Sequence, residues 1–103
     1  MKAFPEAKAA DSEEEVFQDP ETQLIVSAAI PFERAALGIR AMKAGKDYFT
    51  DKPALTTLEQ LEEVKKNISE TGRKYMCYYS ERLHSEAGTF VDELIRKGAI
   101  GKV

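Results

Sequence analysis

The stretch QLIVSAAIPFERAALGIRAMKAGKDYFT, residues 23–50, decides the fold. Its opening run, QLIVSAAI, is almost continuously apolar and too short for a helix without caps. Such a run suits a strand buried on both faces, as in a parallel sheet. Pro31 follows where proline favours the first helical turn. From there Ala35, Ile39 and Met42 recur at helical spacing, a lysine occupies the last turn, and Gly45 terminates the segment. KDYFT then reads as a second short strand. Strand, helix and strand in that order form a βαβ unit, whose two strands lie parallel.

Working outward, SEEEVFQ pairs Ser12 with Glu15 as a capping box for a short helix, which Asp19-Pro20 stops. Downstream, Thr57 and Gln60 open another helix in the same way. Leu58, Leu61, Val64, Lys65 and Ile68 share one of its faces, and Gly72 ends it. KYMCYY (74–79) is a third strand. SEAGTFVDELIRKG is predicted as a helix that buries Phe90, Val91, Leu94 and Ile95 and closes at Gly98. The fold class is therefore α/β, with about three parallel strands alternating with helices. A three-stranded sheet in sequential order leaves one side of its apolar first strand bare.

The 103 residues suffice for one small domain. With 43% hydrophobic residues a core is expected and wholesale disorder is not. A net charge of −3 provides no basic stripe for phosphates, which argues against nucleic acid as a partner. The single Cys77 excludes an internal disulfide and a thiolate cluster, and the single His84 excludes a multi-histidine metal site. No stretch reaches the roughly 20 apolar residues of a bilayer span, and the N-terminus is not of signal-peptide type. The expectation is a cytoplasmic protein with no membrane partner.

In open parallel sheets ligands bind beyond the carboxyl ends of the strands. Here AAIPF, TDKPA and YSERLH occupy those ends and are expected to line one rim. By spacing alone Asp51-Lys52-Pro53 is a solvated turn with two charges. As the lip of a cleft, however, Pro53 biases Lys52 toward an extended backbone, which projects its ammonium. That group would donate to a substrate oxygen, or relay a proton if burial lowered its pKa. Arg82 is placed to pair with an anionic ligand at the rim or with Glu81 or Glu86. Cys77 reads as a small buried hydrophobe and His84 as a surface or capping residue. Tyr75, Tyr78 and Tyr79 read as strand packing. Neither G-x-G-x-x-G nor G-x-x-x-x-G-K-[ST] occurs, so the chain has no glycine-rich phosphate cradle.

The order of features in VSAAIPFERAALGIRAMKAGKDYFTDKPALTTLEQLEEV resembles the Gfo/Idh/MocA family of NAD(P)-dependent oxidoreductases. Ile30-Pro31-Phe32 matches the family's Thr-Pro-Asn-like turn, Ala44-Gly45-Lys46 its helix end, and Asp51-Lys52-Pro53 its Glu-Lys-Pro signature. GAIGKV matches the Gly-x-Ile-Gly-x-Val that closes the following helix, so the resemblance spans residues 11–103. It implies a partial Rossmann-type fold, residues 1–103 being the C-terminal half of a dinucleotide-binding domain. The first strand and glycine-rich phosphate loop would precede residue 1, and a second α/β domain would follow residue 103. The implied cofactor is NAD or NADP. The implied reaction is hydride transfer between nicotinamide and a hydroxyl or carbonyl carbon of a small molecule, a sugar or cyclitol. Lys52 would be catalytic, with Ile30, Pro31, Asp51, Lys52 and Arg82 around the cofactor. A homo-oligomer would form through the second domain's sheet, and this chain alone would be inactive.

Several positions depart from the family pattern. Asp51 shortens the usual glutamate by one methylene. Phe32 stands where asparagine is common, Ala35 where histidine is common, and Ser80 where asparagine is frequent. The alternative reading is a non-catalytic α/β binding or oligomerisation module, joined to its partner by strand addition at the open edge.

Overall fold

A computed structural model describes residues 3–102; Met1, Lys2 and Val103, the last residue of the GAIGKV landmark, lie outside the described residues. The elements run α1 (Glu13–Gln18), β1 (Leu24–Ser27), α2 (Pro31–Lys43), β2 (Asp47–Asp51), α3 (Leu58–Thr71), β3 (Tyr75–Tyr78), α4 (Ser80–His84) and α5 (Glu86–Arg96). The strands form one parallel sheet in the order β1-β2-β3, with Val26, Phe49 and Met76 in register across it. The α/β class and the strand–helix alternation are as the sequence predicts.

β1 is shorter than its apolar run because Ser27 ends it. The Ser27 hydroxyl accepts from the Ala29 N–H at 3.1 Å, and its carbonyl accepts from the Thr50 hydroxyl at 3.0 Å. Together these turn the chain out of the sheet toward α2. β1 is also not buried on both faces. Ile25 is buried, whereas Leu24 and Val26 are exposed, Val26 at 66%. The strand has a neighbour on one side only, and nothing among the described residues covers Leu24 and Val26.

The core lies between the sheet and α2. Ile25, Tyr48 and Thr50 point to this face because alternate strand residues share one. Tyr48, at 0% exposure, packs with Phe17, Ile25 and Ala41, while Ala35, Met42 and Val64 join α2 to α3. Tyr75 touches both clusters, its ring 5.0 Å from that of Tyr48. Gly38 lets α2 approach this pair, since a Cβ there would sit 2.3 Å from Tyr75 Cε2.

Both predicted capping boxes form, each offset by one residue. Ser12 and Thr57 accept from the backbone N–H groups of Glu15 and Gln60. The Glu15 and Gln60 side chains reach back to the N–H groups of Asp11 and Thr56 instead of the cap residues themselves. Gly72 closes α3 in the left-handed region at φ 66°, as its place in the sequence predicts.

Beyond β3, YSERLH forms the short helix α4. The predicted burial of Phe90, Val91, Leu94 and Ile95 is absent: α5 buries none of its residues, and Phe90 is 61% exposed. The amphipathic pattern is real, but α4 is the main element packed against α5, and α4 has no buried residue of its own. Likewise Val64 alone of the predicted α3 stripe is buried, and Leu58 is largely exposed. The radius of gyration, 17.5 Å, exceeds the ~13 Å of a compact domain this long.

Candidate active site

The connections leaving the carboxyl ends of the three strands form the predicted rim. Asp51 ends β2, and its carboxylate accepts from the Lys52 N–H at 2.8 Å, shaping the turn that offers the lysine. The Lys52–Pro53 peptide is cis. Lys52 Nζ lies 3.1 Å from the Glu81 carboxylate in α4, so the second and third connections meet at this ion pair. The pair borders an open cleft of about 480 Å³, lined by residues 52–55 with Tyr79, Glu81 and Arg82.

The electrostatics of the pair define its chemistry. The Lys52 ammonium is raised above the ordinary lysine value, first by its hydrogen bond to Glu81 and then by that residue's charge. Glu81 is held below the ordinary glutamate value by its own backbone amide, by Lys52 and by Ser80. The Lys52 side chain is 47% exposed, and Glu81 raises its pKa by more than burial lowers it. The condition on which proton relay rested is therefore unmet. Lys52 is a standing cation and donor across the neutral range.

Arg34 is the residue that the sequence reading passed over. It is 6% exposed, and its guanidinium reaches three backbone carbonyls: Nε donates to Ala29 at 2.7 Å, and Nη1 to Asp51 at 2.8 Å and Pro53 at 3.0 Å. The Tyr75 hydroxyl donates to the Ala54 carbonyl at 2.9 Å, and burial raises its pKa. Gln60 Nε2 donates to the Phe32 carbonyl at 3.1 Å. These side chains of α2, α3 and β3 thus hold the first two connections. The signal for Arg34 was its place one turn before Gly38 and two before Ala41, on the buried stripe of α2.

The other candidates are dispersed. Ile30 precedes α2 as an exposed cap residue with Pro31 at its first position, and neither lines the Lys52 cleft. Arg82 borders the cleft, but its guanidinium pairs with Asp92 of α5 in place of Glu81 or Glu86. His84 Nε2 is 2.5 Å from the Tyr78 hydroxyl at the surface. Cys77 is half-buried, and its thiol raises the Tyr79 pKa.

A larger hollow, about 730 Å³, is lined by Lys43, Gly45, Lys46 and Arg73 among others. It lies at the amino-terminal ends of the strands, the wrong end for a ligand of an open parallel sheet. Its buried cation is already engaged: Lys46 Nζ donates to the carbonyls of Asp19 at 2.6 Å and Thr22 at 2.8 Å, tying down the α1–β1 connection. Lys46 of the Ala-Gly-Lys landmark is thus a structural lysine.

The rim suits one end of a nicotinamide dinucleotide. Exposed Ile30 and Phe32 offer apolar surface to a flat ring, and Lys52 offers a donor on the neighbouring connection. Among the described residues the pyrophosphate finds no equivalent. The glycines with positive φ, Gly45, Gly72, Gly98 and Gly101, all follow the C-terminal ends of helices, not a strand's carboxyl end.

The profile of the oxidoreductase family with an NAD-binding Rossmann fold, Gfo/Idh/MocA, matches residues 2–79. The chain belongs to this family. The family's cofactor is NAD or NADP, and its Rossmann fold agrees with the parallel sheet seen here. Dehydrogenase aclE of Aspergillus oryzae is 27% identical over 97% of this chain and 27% of its own length. A candidate oxidoreductase of Erwinia carotovora atroseptica SCRI1043 is 44% identical, with a TM-score of 0.81 over 94% of this chain and 29% of that one. An NAD-binding protein of Listeria innocua shares the fold at 24% identity, with a TM-score of 0.82 over 92% of this chain and 27% of its own. The chain thus spans less than a third of the length of these relatives. No helix among the described residues is long and apolar enough to cross a membrane.

Proposed function

We propose that this chain is the second half of the cofactor-binding domain of a hydride-transferring oxidoreductase, with Lys52 as its substrate-facing catalytic residue. The observation that carries the reading is the ion pair of Lys52 with Glu81 in a cleft at the carboxyl ends of β2 and β3. When bound, the nicotinamide supplies the hydride acceptor or donor. Lys52 donates a hydrogen bond to the substrate oxygen and stabilises the negative charge that grows there during carbonyl reduction. Glu81 keeps the lysine protonated and offers an acceptor to a second hydroxyl. Donor and acceptor side by side, flanked by Leu55 and Tyr79, suit a polyhydroxylated substrate of the sugar or cyclitol class. Asp51 orients the Lys52 amide, and Ile30 and Pro31 border the ring. Arg82 would reach the cofactor only by leaving Asp92.

Because the chain spans less than a third of the length of its relatives, the isolated chain is expected to be inactive. A homo-oligomer is the expected assembly of the whole enzyme, and the cytoplasm is the compartment proposed. Titration of the purified chain with NAD(H) and NADP(H), read by amide NMR, tests the reading. Saturable shifts at Ile30, Asp51 and Lys52 that vanish in Lys52→Ala support it, whereas no shifts at millimolar cofactor mean that the isolated chain lacks a working cofactor site. Turnover of NAD(P)H by the chain alone would contradict the inactivity. The alternative module reading is favoured by one feature, the uncovered edge of β1. A monomer that unfolds cooperatively would count against that alternative.

A further inference from the structure

The geometry points to Arg34 as the positioning residue for Lys52: one buried guanidinium grips the backbone carbonyls on both sides of the lysine and locks them to the connection that follows β1. This rests on the reading of Lys52 as the substrate-facing residue. Three observations carry it. The same nitrogen, Nη1, donates to Asp51 and Pro53, the residues that flank Lys52. The Nε of the same side chain donates to Ala29, immediately before Ile30. The guanidinium is 6% exposed, and all its hydrogen-bond partners among the described residues are carbonyls.

A guanidinium anchors planar, divergent contacts that an ammonium cannot reproduce at once. The Lys52 backbone is therefore held while its side chain stays half exposed and free to meet a ligand. The same clamp fixes the spacing between the β1 connection, which borders the nicotinamide in the proposed site, and the β2 connection, which carries the donor. Small misplacements of a catalytic group carry large rate penalties, so such a clamp has a function beyond stability. Arg34 acts through Lys52 and touches neither substrate nor cofactor.

Backbone relaxation of the 103-residue chain without cofactor tests this. In the wild type the order parameter of the Lys52 amide should be near ~0.85, as in rigid backbone. In Arg34→Lys it should fall below ~0.6, while Tyr48 and Val64 stay rigid. In Arg34→Ala the same loosening should be reversed by added methylguanidinium, which refills the vacated space. An unchanged Lys52 amide in folded Arg34→Lys would overturn the proposal, as would loosening spread evenly through β2 or a failure of methylguanidinium to rescue folded Arg34→Ala. If Arg34→Ala does not fold, Arg34→Lys decides alone. Unfolding of both would overturn the positioning role, because the guanidinium would then hold the fold and not the turn. Since no cofactor is present, this result is independent of whether the rim binds nicotinamide.

Discussion

Replacing Gly38 by alanine opposes two effects whose sizes the structure allows to be compared. Gly38 sits in the middle of α2, where helix propensity favours alanine by about 1 kcal/mol. The new Cβ, however, would lie 2.3 Å from Tyr75 Cε2, 2.7 Å from Tyr48 Cδ1 and 2.8 Å from Tyr75 Cδ2. Relief requires a ring or the helix to move by roughly 1 Å, and Tyr48 is fully buried. Tyr75 is no freer, because its hydroxyl holds the Ala54 carbonyl two residues after Lys52. Overpacking of this kind costs about 1–3 kcal/mol, and a disturbed hydrogen bond adds about 1 kcal/mol. The net expectation is a loss of about 1–3 kcal/mol, read as a lower urea midpoint at unchanged slope. On heating this corresponds to roughly 4–8 °C in Tm per kcal/mol. A neutral or stabilised Gly38→Ala would refute the close packing of α2 on the two tyrosines.

Other variants probe separate parts of the account. The Lys52 ammonium should titrate above the ordinary ~10.4 by NMR and return toward it in Glu81→Gln. A raised lysine stabilises the fold below the unfolded pKa and loses that contribution as pH climbs through the folded one. The lowered Glu81 contributes above its unfolded pKa and loses its share as pH falls through the folded one. The pair is therefore intact at neutral pH and dissolves at both extremes. Lys46→Met should cost about 1–3 kcal/mol in urea unfolding, because the Asp19 and Thr22 carbonyls lose their donor. Phe90→Ala should cost well under the ~3–5 kcal/mol of a core phenylalanine, since Phe90 is largely exposed. A core-sized loss in this chain would restore the expected burial of α5.

The fold was legible where chemistry is local. QLIV, Pro31, Gly45, Thr57 and Gly72 marked strands, starts and stops through backbone preferences that need no distant partner. Burial was less legible, because it depends on what lies opposite. Phe90 and Val26 are patterned for a core, yet neither meets a covering surface among the described residues. At the site, Lys52 stood out because Pro53 fixes its turn, and the rim position followed from topology. Its pairing with Glu81 depended on α4, a five-residue helix with no side-chain cap at its start to announce it. Arg34 was missed for a different reason. An arginine on a helix is expected to face water, and only the carbonyls of two separate connections make its burial favourable.

The central claim is that the nicotinamide end of the cofactor lies against the rim formed by Ile30, Phe32 and Lys52. Intermolecular NOEs from the nicotinamide ring protons, at saturating NAD(P)H, test it most directly. The account predicts contacts to the Ile30 methyls, the Phe32 ring and the Lys52 side chain. Contacts confined to Lys43, Gly45 and Arg73 at the opposite end of the sheet would contradict it.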